Sequence, residues 1–292
     1  MSQGHRFREL LGRDGMVIAP GAYDGLTAKL IAAAGFRAVY MTGAGTAASF
    51  GYPDFGLLTM SEMVDNARRI AAATALPVIA DADTGYGNEL NVFRTVREYE
   101  AAGVAGIHIE DQGFPKRCGH LDDKEIVPRE DWLAKIRAAA AARREADFGI
   151  IARTDARAVA GFDEAVARAN AAFAAGADMA FVEAPQTHEE VAAVPRLVKG
   201  PCLLNVVYGG KTPDLDLREA EAMGYKLAIV PGLLIKCVVG VCEQKLAELS
   251  ALHRHPLPPT GMTVRDMFRR FGADEWDALR ERFRTPLRTA AE

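Results

Sequence analysis

The pattern that decides the fold is clearest at residues 101–111, which read Ala-Ala-Gly-Val-Ala-Gly-Ile-His-Ile-Glu-Asp. An alanine-rich amphipathic helix ends there at a glycine, and a short apolar strand follows and ends in two acids. Glycine is preferred just after a helix, where the backbone takes a positive φ. The same order returns around Gly35, Gly176 and, more weakly, Gly224. Short apolar strands that alternate with helices predict a parallel sheet covered by helices.

Eight strands of this kind are predicted, at residues 16–19, 38–42, 78–81, 106–110, 149–153, 179–183, 202–206 and 228–231. Helical patterns occupy the gaps at 26–34, 60–73, 90–102, 129–146, 163–175, 188–198 and 215–223, and a further helix follows at 233–252. Eight strand–helix units within about 250 residues are typical of a (β/α)8 or TIM barrel, an α/β fold. A doubly wound open sheet is the main alternative, but it usually has fewer strands, and the first turn lacks a glycine-rich phosphate motif.

The end of the chain departs from this pattern. The segment His255-Pro256-Leu257-Pro258-Pro259 interrupts the last long helix, so we predict a barrel domain at 1–252 and a helical arm at 253–292. Two amphipathic helices are predicted in the arm, at 263–271 and 274–283, each beginning at a residue suited to an N-cap. A closed barrel has no room for them in its core. We therefore expect them to pack on the outside or to swap between subunits.

Composition and charge exclude several classes of protein. The chain has 292 residues and a net charge of −4, which argues against nucleic acid or an anionic membrane as the main partner. No apolar run reaches the length of a transmembrane helix, and the polar N-terminus lacks the apolar core of a secretory signal. The four cysteines show no Cys-x-x-Cys spacing. These features predict a reduced, cytoplasmic protein.

Acidic side chains collect at the carboxyl ends of the predicted strands, where the active sites of such barrels form. Asp81, Asp83 and Glu110 end two neighbouring strands, and Asp54 lies on the loop after the second strand. Converging carboxylates repel one another without a cation, and an all-oxygen set suits Mg²⁺ or, alternatively, Mn²⁺. We therefore predict a Mg²⁺ site. The alternative is that some acids cap helices or pair with loop cations, an interpretation that fits Asp111 best.

A cationic loop follows the strand that ends at Glu110, and it reads Lys116-Arg117-Cys118-Gly119-His120. Cations and an imidazole beside a thiol predict a depressed pKa for Cys118. Such a thiol exchanges protons near neutral pH or attacks an electrophile. His120 is expected to orient Cys118 or to bind substrate. The alternative is a charged surface loop with an incidental cysteine.

Three other polar side chains lie on predicted strands. Arg153 is expected to grip a substrate carboxylate, to form an ion pair with Glu110 or Glu183, or to do both. Asn205 is expected either to bind a carboxylate or hydroxyl or to satisfy loop backbone. His108 lies in the middle of a strand and is interpreted as a core histidine.

These motifs resemble the isocitrate lyase/phosphoenolpyruvate mutase superfamily over residues 7–252. The resemblance rests on the cationic loop and on three further motifs, Asp81-Ala82-Asp83-Thr84-Gly85-Tyr86-Gly87, His108-Ile109-Glu110-Asp111-Gln112 and Ala152-Arg153-Thr154-Asp155. It is strongest for the short bacterial branch of 2-methylisocitrate and 2,3-dimethylmalate lyases. The cationic loop is typical of members that cleave carbon–carbon bonds.

The resemblance implies retro-aldol cleavage of a substituted malate, or a related 2-hydroxydicarboxylate or tricarboxylate, into a 2-oxo acid and a carboxylic acid. It implies Mg²⁺ held largely through water by Asp81, Asp83 and Glu110, with Asp54 nearby. Cys118 would protonate the carbanion, and Tyr40 would deprotonate the 2-hydroxyl. The implied catalytic set is Cys118, Tyr40, Arg153, His120 and Lys116. The implied substrate-binding set is Thr42, Gly43, Ala44, Arg153, Glu183, Asn205, Tyr208, Thr212 and Pro231.

Two departures from the family pattern bear on the substrate. Relatives often carry Glu three residues after the Asn that corresponds to Asn205, whereas this chain has Tyr208, which implies a different fit at the distal end of the substrate. The long insertions of the larger isocitrate lyases are absent, which disfavours isocitrate itself. In relatives the last helices swap between the subunits of a tetramer, which implies a homotetramer swapped through residues 265–283.

Three other functions stay open at this point. Within the superfamily they are an oxaloacetate decarboxylase or hydrolase, and a phosphonate-bond enzyme of the carboxyphosphonoenolpyruvate phosphonomutase type. Outside catalysis, a barrel of this kind could bind a metal–carboxylate ligand without turning it over.

Overall fold

A computed structural model describes residues 1–284, and within them eight parallel strands close into a barrel in chain order. The strands are β1 (Val17–Ala22), β2 (Val39–Met41), β3 (Val78–Asp81), β4 (Gly106–Glu110), β5 (Gly149–Thr154), β6 (Met179–Val182), β7 (Cys202–Asn205) and β8 (Leu227–Val230). Because β1 pairs with β8 as well as with β2, the sheet has no free edge. The predicted (β/α)8 barrel is confirmed, and the open-sheet alternative is wrong.

The same residues form thirteen helices. They are α1 (Gln3–Leu11), α2 (Gly25–Ala33), α3 (Gly43–Ser49), α4 (Met60–Ala73), α5 (Glu89–Ala101), α6 (Arg129–Ala142), α7 (Ala156–Val159), α8 (Phe162–Ala174), α9 (His188–Leu197), α10 (Leu217–Met223), α11 (Leu233–Leu252), α12 (Val264–Arg270) and α13 (Ala273–Arg284). Capping boxes at Asp24 and Thr59 start α2 and α4. The sequence pattern does not predict α1, α3 or α7.

Two predicted boundaries differ from the structure for clear physical reasons. The predicted first strand ends at residue 19, before a proline, whereas β1 continues to Ala22 with Pro20 in register with Val230. Proline gives the ladder no N–H but still offers a carbonyl, and β1 tolerates that loss. The helix predicted at 129–146 ends at Ala142, because Arg143 leaves helical geometry and its guanidinium bonds the carboxylate of Asp178.

The amino end of the barrel is packed shut, so the open end is the carboxyl end. Phe7 of α1 is only 2% exposed and belongs to the same buried cluster as Val17 and Leu227, which begin β1 and β8. Further along the barrel interior the cluster continues through Ile79 and Phe181. A ligand site lined by polar side chains can therefore form only at the carboxyl end of the barrel.

The chain forms two compact units, one of residues 1–237 and one that begins at Val238. In the second unit, α12 begins at a capping box between Thr263 and Asp266, as the predicted N-cap requires. No described residue of α12 or α13 is buried. The prediction of a barrel domain at 1–252 and an arm at 253–292 stays a prediction, as does the packing of the arm. No helix within residues 1–284 is long and apolar enough to span a bilayer.

Candidate active site

A cavity of about 230 Å³ opens at the carboxyl end of the barrel. Its lining comes from six strand ends and from the cationic loop, and it includes Tyr40, Thr42, Ala44, Asp54, Asp81, Cys118, Gly119, His120, Arg153, Glu183, Asn205 and Pro231. The residues predicted from separate parts of the sequence thus meet in one place. Cys118 of the loop lines the same cavity as Asp81 and Glu183, whereas Asp83, Glu110 and Lys116 are not among its lining residues.

Lys116 holds two of the predicted acids together. Its ammonium lies 2.5 Å from Asp54 Oδ1 and 2.8 Å from Asp83 Oδ1, and its side chain is 3% exposed. Burial alone would lower the pKa of Lys116, but Asp83 and Asp54 raise it well above its usual value. Burial also raises the pKa of Asp83 to about 6, against the attraction of Lys116. Lys116 therefore supplies positive charge to this acid cluster.

Asp81 and Tyr40 form the floor of the cavity together with His108. The Tyr40 hydroxyl lies 2.8 Å from His108 Nε2 and donates to Asp81 Oδ2 at 3.3 Å. Burial raises the pKa of Tyr40 well above 10 and lowers the pKa of His108 to about 4, so both groups are neutral at pH 7. Burial opposes ionisation of Asp81 as well, but His108, Lys116 and Arg153 outweigh it and bring that pKa to about 2. His108 is a core histidine, as interpreted, but one that contacts a site residue.

Arg153 points its guanidinium at three carboxylates. Its Nε lies 3.0 Å from Asp155 Oδ2 and 3.2 Å from Glu110 Oε2, while Nη2 is 3.9 Å from Glu183 Oε1. The guanidinium also lies over the ring of Phe181, 5.1 Å from its centroid. Both predicted ion-pair partners, Glu110 and Glu183, are therefore near it. Arg153 still lines the cavity and can meet a ligand carboxylate.

Asp111 has a structural role, but its cation partner is Arg168 of α8 rather than the loop cations that the sequence suggested. Its carboxylate accepts hydrogen bonds from Thr154 Oγ1 at 2.6 Å, from the Asp155 amide at 2.8 Å and from Arg168 Nη1 at 3.1 Å. These bonds fix the end of β5, where Arg153 and Asp155 lie. Its side chain is fully buried and does not line the cavity.

One predicted metal ligand offers a buried oxygen atom that has no other partner. Glu110 Oε1 is buried with neither a hydrogen bond nor an ion pair, whereas Glu110 Oε2 lies 3.2 Å from Arg153 Nε and Asp83 Oδ1 lies 2.8 Å from Lys116 Nζ. Buried polar atoms normally find partners, so this unpaired oxygen suits a cation with its waters. Within residues 1–284, however, no three His, Cys, Asp or Glu side chains are spaced to ligate one ion directly. The donor set thus fits a hydrated hard cation better than a tightly caged one.

The cationic loop lies closed against the barrel mouth. A Cβ at Gly119 would overlap Glu183 Oε1 and Arg153 Nη2, and a Cβ at Gly43 would overlap Asp81 Oδ2. Only glycine permits these approaches. The stem of the loop is fixed by Gln112, whose side-chain amide exchanges two hydrogen bonds with the backbone of Arg117.

The depressed pKa predicted for Cys118 is wrong. Burial raises the pKa of the Cys118 thiol and Asp54 adds to the effect, while the His120 amide and Arg153 only partly oppose it. Neighbouring residues in the sequence suggested the opposite, but Lys116 turns to Asp54 and Asp83, and Arg117 lies near the ring of Phe55. The thiol therefore keeps its proton at neutral pH.

His120 is held in one tautomer. The Lys211 amide donates to His120 Nδ1 at 3.0 Å, so in the neutral ring the proton sits on Nε2, 3.2 Å from Glu183 Oε1. Burial lowers the pKa of His120, although Glu183 opposes the shift. Asn205 Nδ2 donates to the two oxygens of Glu183 at 3.2 Å, and Asn205 Oδ1 is buried without a partner. His120, Glu183 and Asn205 thus form one polar wall of the cavity.

Three predicted substrate-binding residues do not line the cavity: Gly43, Tyr208 and Thr212. Tyr208 is 80% exposed; Lys236 Nζ donates to its carbonyl at 2.7 Å and lies 6.0 Å from the centroid of its ring. Thr212 is buried without lining the cavity, and its hydroxyl has no partner. The expectation that the Tyr208 ring meets the distal end of the substrate is not met in this structure. The loop after β7 turns that ring to solvent.

Several lining residues lie outside the predicted set: Gly45, Ala48, Val207, Gly232, Ile235 and Lys236. Most are apolar and carry no chemical signal in the sequence. Gly45 and Ala48 belong to α3, which the sequence analysis reads as loop. Lys236 is the fourth residue of α11, the helix that follows β8. This position close to a strand end is the one signal by which the sequence could have marked Lys236 as a lining residue.

Comparison with known proteins identifies the family. The sequence pattern of the phosphoenolpyruvate phosphomutase family matches residues 7–250. The chain belongs to this family. The 2,3-dimethylmalate lyase of Eubacterium barkeri is 53% identical over 232 residues, covering 79% of this chain and 80% of the relative. The 2-methylisocitrate lyase of Aeropyrum pernix is 45% identical over 242 residues, covering 83% and 78%.

Solved structures extend the likeness of this phosphomutase-family chain over nearly its whole length. Oxaloacetate acetylhydrolase in complex with 3,3-difluorooxalacetate matches with a TM-score of 0.92 and 38% identity, over 96% of each chain. A phosphonopyruvate hydrolase complex with oxalate and Mg²⁺ matches with a TM-score of 0.87 and 32% identity, over 98% of this chain and all of that one. The predicted superfamily is confirmed. The prediction of a carbon–carbon lyase is likewise supported by the named relatives.

Proposed function

We propose that the chain is a Mg²⁺-dependent carbon–carbon lyase that cleaves a substituted malate into a 2-oxo acid and a carboxylic acid. The observation that carries the proposal is the cavity shared by Cys118, Arg153 and Asp81. A protonated thiol there faces a cation and a carboxylate cluster. Cleavage of a 2-hydroxydicarboxylate needs those three groups: an acid, a charge stabiliser and a metal site.

The metal would be held by Asp81, Asp83 and Glu110, largely through water, with Asp54 behind Lys116. The unpaired Oε1 of Glu110 supports this assignment, and the relative solved with oxalate and Mg²⁺ supports the choice of ion. When bound, Mg²⁺ would chelate the 2-oxygen and carboxylate of the substrate and acidify the hydroxyl. Mn²⁺ has the same preference for oxygen ligands and is the expected substitute.

Arg153 stabilises the negative charge that develops on the substrate during cleavage. As the C2–C3 bond breaks, its electron pair passes to C3 and is delocalised onto the neighbouring carboxylate. The guanidinium faces the cavity and is oriented by Asp155, so it is ready for that carboxylate without rearrangement. Tyr40 lies at the floor beside Asp81 and is neutral, so we assign it a relay. Its hydroxyl would accept the proton of the 2-hydroxyl as it passes its own proton to the Asp81 carboxylate, to which it donates.

Cys118 donates the proton that ends the reaction. Its raised pKa keeps the thiol protonated, which suits an acid better than a nucleophile. The closed loop also shields a carbanion from water. The polar wall of His120, Glu183 and Asn205 would bind the second carboxylate or position the thiol, with His120 Nε2–H as the donor. Lys116 supports the metal site, and Thr42, Gly43, Ala44 and Pro231 shape the pocket around the first carboxylate.

A second candidate is oxaloacetate hydrolysis, favoured by the 0.92 TM-score match to oxaloacetate acetylhydrolase. The products separate the two reactions. A lyase releases a 2-oxo acid, such as pyruvate from 2,3-dimethylmalate or 2-methylisocitrate, whereas the hydrolase releases oxalate and acetate from oxaloacetate. A phosphonate-bond enzyme would instead act on phosphonopyruvate or a carboxyphosphonate.

The test is a panel assay with purified protein and Mg²⁺. The substrates are malate, 2,3-dimethylmalate, 2-methylisocitrate, oxaloacetate and phosphonopyruvate, and lactate dehydrogenase reports pyruvate. We expect pyruvate from one of the two substituted acids and none from malate. To keep a non-enzymatic loss of CO₂ from oxaloacetate out of the comparison, a protein-free control runs beside each substrate. Turnover of oxaloacetate alone, with oxalate as product, would favour the hydrolase.

We further propose a homotetramer in the cytoplasm. Every described residue of α11, α12 and α13 is at least partly exposed, and these helices show large apolar side chains to solvent, including Val239, Leu246, Phe268, Trp276 and Phe283. A soluble monomer rarely leaves so much apolar surface uncovered. The four cysteines are free thiols, in keeping with a reducing compartment.

A further inference from the structure

Lys124 is a buried lysine that the proposed chemistry does not use. It lies in the loop between β4 and α6, six residues after Cys118, and the residue is 8% exposed. Its ammonium donates to the Gly119 carbonyl and, at 2.8 Å, to Asp155 Oδ1. A buried ammonium is costly unless it is paired and hydrogen-bonded. Both of its partners therefore matter.

The two partners belong to different parts of the site. Gly119 follows Cys118 directly and is the point where the loop touches Glu183 and Arg153. Asp155 directly follows β5 on the barrel and accepts from Arg153 Nε at 3.0 Å. A single ammonium thus joins the thiol-bearing loop to the carboxylate that orients the guanidinium.

The link exists only while the loop is closed. If residues 117–121 move away from the barrel, the Gly119 carbonyl leaves the Lys124 ammonium. Arg153 and Lys124 lower the pKa of the Asp155 carboxyl and keep it ionised despite its burial. After such a movement, the stability of this buried charge would depend on whichever cation stays beside it. A fully buried carboxylate gains most from a second cation when water is excluded. Lys124 consequently favours the closed loop and the aligned Arg153 together.

We propose that Lys124 is a positioning residue that latches the Cys118 loop shut and couples its closure to the orientation of Arg153. Lys124 does not itself line the cavity, and it reaches the site only through Gly119 and Asp155. The latch concerns loop closure alone and does not depend on the proposed lyase chemistry. Its purpose in catalysis, to hold the thiol and guanidinium in place during bond cleavage, rests on the proposed function.

The same loop offers a matched control on its outer side. Asp122 Oδ1 pairs with Lys211 Nζ at 2.5 Å, but the Asp122 side chain is 84% exposed. This ion pair also connects the loop to another part of the barrel mouth. An exposed pair contributes little, because solvent screens it. Asp122→Asn therefore removes a contact of the loop without removing the buried latch.

The experiment measures alkylation of individual cysteines by iodoacetamide, followed by peptide mass spectrometry, on the full chain without ligand or metal. Cys118 reports on loop opening, buried Cys202 in β7 reports on opening of the whole barrel, and exposed Cys237 calibrates the reagent. In Lys124→Met we expect the Cys118 rate to rise about tenfold over wild type, with no change at Cys202. In Asp122→Asn the Cys118 rate should stay within about twofold of wild type.

Three results would overturn the proposal. One is a Cys118 rate in Lys124→Met that stays within about twofold of wild type. Another is an equal rise at Cys118 and Cys202 in Lys124→Met and in the milder Lys124→Gln, which would mean that Lys124 supports the whole barrel. The third is failure of both variants to fold, which carries the same meaning.

Turnover gives a second readout that depends on the proposed function. With a substituted malate as substrate, we expect kcat of Lys124→Met to fall roughly tenfold or more, with a smaller change in KM, because the latch aligns groups after binding. If wild type turns over no such acid, the proposed function fails while the alkylation rates still decide on the latch. If wild type turns over but Lys124→Met keeps its kcat, the coupling to Arg153 is wrong.

Discussion

At the residue scale, the Cys118 thiol carries its proton because burial and Asp54 outweigh the nearby cations. A thiolate would suit nucleophilic attack, whereas a protonated thiol suits proton donation to a carbanion. The loop places this thiol beside Gly119, which touches Arg153 and Glu183. The sequence suggests that Cys118 is a reactive thiolate, whereas its surroundings in the structure suit a general acid.

Replacement of this acid gives the first prediction. Cys118→Ser should lower kcat for the substituted malate by about 100-fold or more, because a serine hydroxyl is a far weaker acid than a thiol. KM should change less, since Cys118 does not carry the substrate charge. Steady-state kinetics of Cys118→Ser beside Cys242→Ser, an exposed control, would measure this. Equal activity of the two variants would remove Cys118 from the mechanism.

The pH profile gives a second prediction. A raised pKa means that the thiol is protonated below it, so the acid is present through neutral pH and is lost only above the usual value of 9. kcat should therefore stay level, as far as Cys118 is concerned, from pH 7 to 9 and decline at higher pH. A rate that rises between pH 7 and 9 and disappears in Cys118→Ser would indicate a thiolate instead.

The positions of site residues could be predicted where side chains follow a strand, and less so in loops. Asp81, Glu110, Arg153, Glu183 and Asn205 lie at strand ends, and the direction of parallel strands brings strand ends together. Tyr208 lies several residues beyond β7, where no periodicity fixes its direction. Lys124 sits in the plain sequence Asp-Asp-Lys-Glu, which reads as a solvated surface. Burial, which decides its role, depends on the folded loop.

At the element scale, the loop between β4 and α6 works as a fitted cover. Gln112 shapes its stem, Gly119 allows its close approach, and Lys124 ties it to β5. Each contact is local, but together they fix where the thiol stands relative to Arg153. In this position the loop completes the lining of the cavity with Cys118, Gly119 and His120.

A third prediction follows from the fit at Gly119. Its φ is not in the left-handed region, so the backbone accepts alanine, but the added Cβ would overlap Glu183 and Arg153 in the closed state. Gly119→Ala should lower kcat about tenfold or more while the circular dichroism spectrum and melting temperature stay unchanged. The control is Gly113→Ala in the same loop, where a Cβ meets nothing closer than 3.9 Å. Similar losses in both variants would argue against a fitted closure.

The elements themselves were largely predictable from local chemistry. Alanine-rich helices, glycine ends and apolar strands recur, and β3, β4 and α4 match their predicted bounds. The misses have physical causes. α1 covers the amino end of the barrel through Phe7, a tertiary role that has no local signal. α3 is rich in Gly and Ala and reads as a loop, yet Thr42 caps it and buried neighbours hold it.

At the scale of the whole molecule, the barrel closes its amino end with apolar packing and leaves the charged groups at the other end. Closure of the sheet follows from the pairing of β1 with β8 and gives eight strand ends one common rim. Large apolar side chains of α11, α12 and α13 are exposed to solvent. Neither the closure nor the covering of that surface can be read from the periodicity of one element.

That uncovered surface gives a fourth prediction. Light scattering coupled to gel filtration should give a mass about four times that of the 31.4 kDa chain. Trp276→Glu, which places a charge on the exposed apolar face of α13, should lower the mass. The exposed Arg280→Glu on the same helix serves as the matched control. A wild-type protein that elutes as a monomer would show that no subunit covers these helices.

The most direct test of the central claim follows the new carbon–hydrogen bond. The protein is incubated with Mg²⁺ and 2,3-dimethylmalate or 2-methylisocitrate in D₂O, and the products are identified by NMR before and after EDTA. We predict a 2-oxo acid together with a carboxylic acid that carries a single deuterium at the former C3, both abolished by EDTA and greatly reduced in Cys118→Ser. Absence of a 2-oxo acid from both substrates, or undiminished cleavage with EDTA, would contradict a metal-dependent lyase with Cys118 as its acid.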